Sequence, residues 1–108
     1  MNRAAPITCI VHTRDSAGTL DRALGSVAWA DELIVVDMES RDRTREIADR
    51  YATRVLETQV VARVDGIRNR FLEEASHDWI LVLDSDEYLA ADAEENVRAL
   101  VRDAGGEV

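Results

Sequence analysis

Asp84, Ser85, Asp86 and Glu87 are the residues whose types and spacing point most directly to chemistry. Three carboxylates fall within four positions, directly after the apolar run Trp79-Ile80-Leu81-Val82-Leu83. Carboxylate oxygens are hard donors, and Asp84 and Asp86 lean to the same side if the chain there is extended. Such a pair suits Mg²⁺ or Mn²⁺, which keep part of their water and share a substrate's phosphates. The apolar run reads as a strand buried on both faces. A buried strand that ends in acids sets them at the carboxyl edge of an open α/β sheet, where such sheets bind ligands. In outline this is a metal–diphosphate site.

The elements that position these acids follow from the hydrophobic pattern. Strands are expected at Ile7–Thr13, Glu32–Asp37, Thr53–Glu57 and Trp79–Asp84. A helix capped by Thr19 runs to about Ala28, with Leu20, Leu24 and Val27 inward. A second is capped by Ser40 or Asp42 and runs through Tyr51, with Ile47, Ala48 and Tyr51 inward. A third opens at Asp65 and runs to about Ser76, with Ile67, Phe71, Leu72 and Ala75 inward. A fourth covers Asp92–Ala104, with Val97, Leu100 and Val101 inward. Strands alternating with helices over short connections predict a three-layer αβα fold around a mainly parallel sheet, of Rossmann-like nucleotide-binding type. In that arrangement Asp15, Asp37 and Asp84 end or follow three strands on one edge, and Arg68 and Arg70 open the third helix near it. Carboxylates and arginine on one rim fit a nucleotide with a metal-bridged diphosphate.

Composition narrows the possibilities. The chain has 108 residues, enough for one domain, and is 46% hydrophobic, enough for a core. Its net charge is −9, with eight acids and two arginines between Asp84 and Val108, so nucleic-acid backbones and anionic membranes repel it. All 13 basic residues are arginine. A P-loop lysine and a Schiff base are thereby excluded, and phosphate contacts fall to Arg, backbone N–H groups or a metal. The single cysteine, Cys9, rules out an internal disulfide and reads as a small buried strand residue. No apolar run reaches membrane-spanning length and residues 1–13 lack a signal-peptide core, so the expected location is cytoplasmic, at most at the inner face of the membrane.

Other motifs fit less well. An EF-hand loop starting at Asp84 has Leu89 where Gly is needed. No G-x-G-x-x-G follows the first strand. A receiver-like signalling domain wants paired acids after that strand and a late lysine, and this chain has His12-Thr13-Arg14-Asp15 and no lysine. His77 and the pairs Glu73-Glu74 and Glu94-Glu95 read as turn and solvated helix surface.

The segments Ile7–Thr13, Glu32–Asp37, Ser40-Arg41-Asp42-Arg43-Thr44, Arg68-Asn69 and Asp78–Glu87 follow the order of family 2 glycosyltransferases with the GT-A fold, which the chain resembles from about Ile7 to Val101. The nearest branch is that of bacterial lipopolysaccharide-core glucosyltransferases. The resemblance implies a donor site for a nucleotide-diphospho-sugar, with a UDP-sugar expected. His12 and Thr13 line the base pocket, Asp37 meets the base, Arg68 lies near the nucleotide, and Asp84 and Asp86 form the D-x-D around Mg²⁺ or Mn²⁺. Asp15 joins the nucleotide-binding set at the rim. The implied reaction is inverting transfer of a hexose to a saccharide or lipid-linked acceptor. Two departures stand out: Asp15-Ser16 where the family has Asn-Glu, and Met38-Glu39-Ser40-Arg41 where it has Ser-Gly-Ser-Thr. The resemblance also implies that residues 1–108 are one truncated, donor-binding domain whose acceptor site and general base lie beyond it. A homodimer through the uncovered apolar face is then expected. Alternatives are a non-catalytic nucleotide-binding module with a degenerate transferase fold, and the receiver-like domain.

Overall fold

The computed structural model describes residues 5–58 and 71–105. Its strands are β1 (Ile7–Thr13), β2 (Glu32–Met38), β3 (Arg54–Thr58) and β4 (Trp79–Asp84). Its helices are α1 (Leu20–Ser26), α2 (Thr44–Tyr51) and α3 (Ala93–Gly105). The strands form one all-parallel sheet in the order β3-β2-β1-β4. This is the α/β fold that the alternation predicts. The order also differs from the receiver-type arrangement 2-1-3-4-5, in which β1 lies between β2 and β3. Of the expected third helix, only its end lies within the described residues, with Phe71 and Leu72 helical. Ile67 and Arg68 lie outside them.

Period-two alternation sorts each strand onto two faces. Cys9, Val11, Leu33, Val35 and Leu83 meet Leu20, Ala23 and Leu24 of α1 and Ile47 and Ala48 of α2. On the opposite face Ile10, Ile34 and Val36 meet Phe71, with Leu72, Ala75 and Ile80 packed alongside. Helical residues therefore cover both faces. α3 is pinned near the amino edge: Arg98 donates to Asp31 Oδ2 at 3.2 Å and to the Trp29 carbonyl at 3.0 Å, and its guanidinium lies over the Trp29 ring.

Three expectations change. β4 is an edge strand of the described sheet, not one buried on both faces, and Trp79 and Val82 are each 37% exposed. An apolar run is compatible with a central strand, but periodicity carries no information on how many neighbours it has. Leu100 is 69% exposed, although Val101 beside it is buried. Successive helical residues point 100° apart, so the inward stripe of α3 is narrower than predicted. Thr19 stands at the start of α1 but makes no capping bond, its hydroxyl reaching the Ser16 carbonyl instead.

Cys9 is fully buried in β1, and desolvation raises its thiol pKa to about 12. The thiolate is the reactive form. A chromogenic disulfide reagent at pH 8 is therefore expected to label Cys9 only as the chain unfolds. Immediate stoichiometric labelling in native buffer would show that β1 is not packed as described.

Candidate functional site at the carboxyl edge

Parallel pairing fixes which residues share the carboxyl edge. Asp37 lies opposite Thr13 of β1 on one side and Glu57 of β3 on the other. Asp84 lies opposite His12. Glu57, Asp37 and Thr13 thus form one row across β3, β2 and β1, and His12 and Asp84 form the adjoining row one residue before it. Asp37 and Asp84 are two strand spacings apart, about 10 Å.

Two cavities open along these rows. One, of about 350 Å³, lies over the ends of β1 and β4 and is lined by His12, Thr13, Arg14, Ser16, Met38, Asp84, Ser85 and Asp86. The other, of about 330 Å³, lies over the ends of β2 and β3 and is lined by Asp37, Glu39, Ser40, Glu57 and Thr58. The structure therefore brings His12, Thr13, Asp84 and Asp86 to one cavity and Asp37 to its neighbour. Arg68 is outside the described residues. Arg14, which sequence reasoning passed over, brings a cation to the first cavity.

The carboxylates differ in how far the fold has already engaged them. The Ser40 hydroxyl makes a short bond to Asp37 Oδ1, and Ser40 Oγ accepts the Asp15 N–H at 2.9 Å. Asp37 is buried and so is held in one orientation. Asp15 Oδ1 accepts the Arg41 N–H at 2.7 Å, which ties the loop after β1 to the loop after β2. Asp42 accepts the Thr44 N–H at 2.9 Å and the Ala17 N–H at 3.2 Å. Hydrogen bonds from the Thr44 hydroxyl and N–H hold the Asp42 carboxyl below its ordinary pKa. Of the two residues predicted to cap the second helix, Asp42 satisfies an N–H at its start, while Ser40 is spent on Asp37.

The segment after β4 is a turn rather than extended chain. The Glu87 N–H donates to the Asp84 carbonyl and the Asp84 N–H donates to Glu87 Oε1, each at 2.9 Å. Asp84 and Asp86 therefore do not share one side by strand alternation, because the strand ends at Asp84. The turn nevertheless presents both to the same cavity. The third acid of the cluster, Glu87, locks the turn from within.

Two residues in the loops have left-handed backbone, Asp15 at φ 44° and Glu39 at φ 52°. They fall in the two segments where the chain departs from the family pattern. Asp tolerates this region through local hydrogen bonds, and Asp15 makes them. Glu39 takes up the same kind of conformation where the family has glycine.

At the far end of the sheet the fold buries a different acid. Glu32 Oε1 accepts the Thr8 hydroxyl at 2.9 Å and the Ser76 N–H at 2.8 Å, and Oε2 accepts the Ser76 hydroxyl at 2.7 Å. This acid belongs to the amino edge and is remote from both cavities.

The glycosyl transferase family 2 model matches residues 8–106. A TPR repeat-containing protein of Synechococcus elongatus is 41% identical over 96 residues, which cover 88% of this chain and 24% of that protein. A crystal structure of S. aureus TarS superposes with a TM-score of 0.77 at 25% identity, over 91% of this chain and 32% of that one. Glucosyl-3-phosphoglycerate synthase from Mycobacterium tuberculosis, in complex with Mn²⁺, uridine-diphosphate and glucosyl-3-phosphoglycerate, shares the fold with a TM-score of 0.65 at 22% identity, over 78% of this chain and 36% of that one. The chain thus spans about a quarter to a third of the length of these proteins. With the family model matched along nearly its whole length, the chain belongs to glycosyl transferase family 2.

Proposed function

We propose that this chain is the donor-binding part of a glycosyltransferase and takes a nucleotide-diphospho-sugar across its carboxyl edge. The observation that carries the proposal is that Asp37 and Asp84 stand in adjoining rows at one carboxyl edge, each at its own cavity. The spacing of about 10 Å between β2 and β4 suits a base at one acid and a diphosphate at the other. Asp37, its Oδ1 held by Ser40, presents its remaining oxygen to an N–H of the base. Thr13 Oγ1 is buried and has no hydrogen-bond partner among the described residues. A buried hydroxyl of that kind calls for a partner, which a bound nucleotide supplies. Arg14, together with Arg68, serves the phosphates, because a guanidinium matches phosphate geometry.

Among the described residues no three His, Cys, Asp or Glu side chains converge on one point. A metal cage made wholly of protein, as zinc or calcium sites often are, is therefore not on offer there. Asp84 and Asp86 alone fit a cation that completes its shell with water and substrate phosphates, which is the habit of Mg²⁺ and of Mn²⁺. When bound, such an ion supplies Lewis-acid neutralisation of the leaving diphosphate. The protein's part is to hold the two carboxylates and to orient the base. The Mycobacterium tuberculosis enzyme of the same fold was crystallised with Mn²⁺ and uridine-diphosphate, and we take UDP as the expected nucleotide here. The acceptor we propose is a saccharide or lipid-linked group, of the kind lipopolysaccharide-core glucosyltransferases use, met by chain outside these residues. Among the described residues no helix is long and apolar enough to cross a membrane.

Calorimetric titration of UDP and GDP, in Mn²⁺ and again in EDTA, tests the reading. The expected result is UDP binding that EDTA removes, with GDP weaker. Absence of binding by either nucleotide in Mn²⁺ would favour a degenerate, non-binding relative of the family.

A further inference from the structure

The loops that carry the acids are joined by small hydroxyl side chains. Ser16 Oγ donates to the Arg14 carbonyl at 2.9 Å and lies 2.8 Å from Ser85 Oγ. A serine hydroxyl has one proton. With the Ser16 proton on Arg14, the proton shared between the two serines comes from Ser85. Ser85 therefore donates to Ser16, and its side chain is fixed. Ser16 is itself anchored, because its N–H donates to Thr44 Oγ1 at 2.7 Å. Thr44 is fully buried at the start of α2.

These bonds form a continuous strut from the first turn of α2, through Ser16, to the residue between Asp84 and Asp86. We infer that Ser16 is a positioning residue for the Asp84–Asp86 turn, setting the two carboxylates relative to the loop after β1. The placement explains why such a device is useful. β4 is an edge strand, hydrogen-bonded in the described sheet to β1 alone. Past Asp84 the chain is a turn closed on itself by Glu87. A cation held by only two protein carboxylates depends on their separation, and the Ser16–Ser85 bond ties the residue between them to another element. The consequence for metal rests on the donor-site reading; the strut itself does not.

The test uses the full 108-residue chain and three variants, Ser16→Ala, Ser16→Thr and Ser85→Ala. Hydrogen–deuterium exchange reads the turn without any ligand, and Mn²⁺ titration in the presence of UDP reads the metal site. One neutral hydrogen bond is worth a factor of about five. Ser16→Ala is expected to speed amide exchange in residues 84–87 about fivefold and to weaken Mn²⁺ binding about fivefold, with exchange in β1 and β2 unchanged. Ser16→Thr, which keeps a hydroxyl, is expected to restore both. Ser85→Ala removes the same bond from the other side and keeps the test sound if Ser16→Ala fails to fold. Parental exchange in the turn of both alanine variants overturns the strut. Faster exchange with parental Mn²⁺ affinity overturns its role at the metal. A parent chain that binds no Mn²⁺ with UDP overturns the donor-site reading instead, and the exchange result still decides the strut.

Discussion

Asp86→Asn is expected to weaken metal-dependent nucleotide binding severely while leaving the fold intact. Asp86 is exposed at the end of the turn and lines the cavity over β1 and β4. The substitution removes a charge and a hard oxygen donor from a cavity to which the described residues bring two carboxylates, Asp84 and Asp86. Loss of an outer partner in metal sites costs 10–100-fold, so loss of one of two ligands is expected to cost roughly 100-fold or more in UDP affinity measured with Mn²⁺. In EDTA neither the variant nor the parent is expected to bind UDP, so the two differ only when Mn²⁺ is present. Thermal unfolding is expected to be unchanged, since surface substitutions of this kind lie within about 0.5 kcal/mol. Parental UDP affinity in Mn²⁺ would remove Asp86 from the metal site.

That prediction depends on a residue the sequence marks clearly, and the reason is physical. A β-branched apolar run followed at once by acids has few other uses, so β4 and its carboxylates can be read without a structure. The all-parallel sheet is legible for the same reason: Leu33–Val36 is a continuous apolar run and Ile7–Val11 is interrupted only by Thr8, as strands covered on both faces require. Side-chain period cannot report the number of neighbours in a sheet, and so the edge position of β4 was not visible. Nor was the work of Ser16, Ser40, Thr44 and Ser85. Short hydroxyl residues are common in every loop, and only the crossing of three loops at one edge shows that Ser16 bonds to Thr44 and Ser85, Thr44 to Asp42, and Ser40 to Asp37. Glu87 shows the converse. It belongs to the most suggestive cluster in the sequence, yet its carboxylate is turned back onto the Asp84 N–H. Spacing identifies a turn rich in acid but not which acid the turn consumes.

Glu32→Ala is expected to lower stability, although Glu32 lies at the opposite end of the sheet from the candidate site. It is 6% exposed and accepts three hydrogen bonds, from the Thr8 hydroxyl and from the N–H and hydroxyl of Ser76. Thr8 is fully buried, whereas Ser76 borders solvent. Glu32→Ala strands the Thr8 hydroxyl, unties the end of the segment that carries Phe71 and leaves a hole in the sheet edge. An unsatisfied buried group costs about 1–3 kcal/mol and each lost neutral bond about 1 kcal/mol, so a total of about 3 kcal/mol is expected from urea unfolding. The pH dependence has a definite sign. Burial pushes the Glu32 carboxyl pKa up, but the N–H and hydroxyl of Ser76 and the hydroxyl of Thr8 outweigh it, and the net shift is downward. A carboxyl whose pKa is lower folded than unfolded stabilises the chain above its unfolded value, about 4.3, and loses that contribution as pH falls through the folded value. The stability gap between parent and Glu32→Gln is therefore expected to be constant from pH 7 to about 5 and to shrink on further acidification. A gap that widens in acid would mean that Glu32 is protonated in the native chain, and the hydrogen bonds drawn to a carboxylate would have to be reassigned.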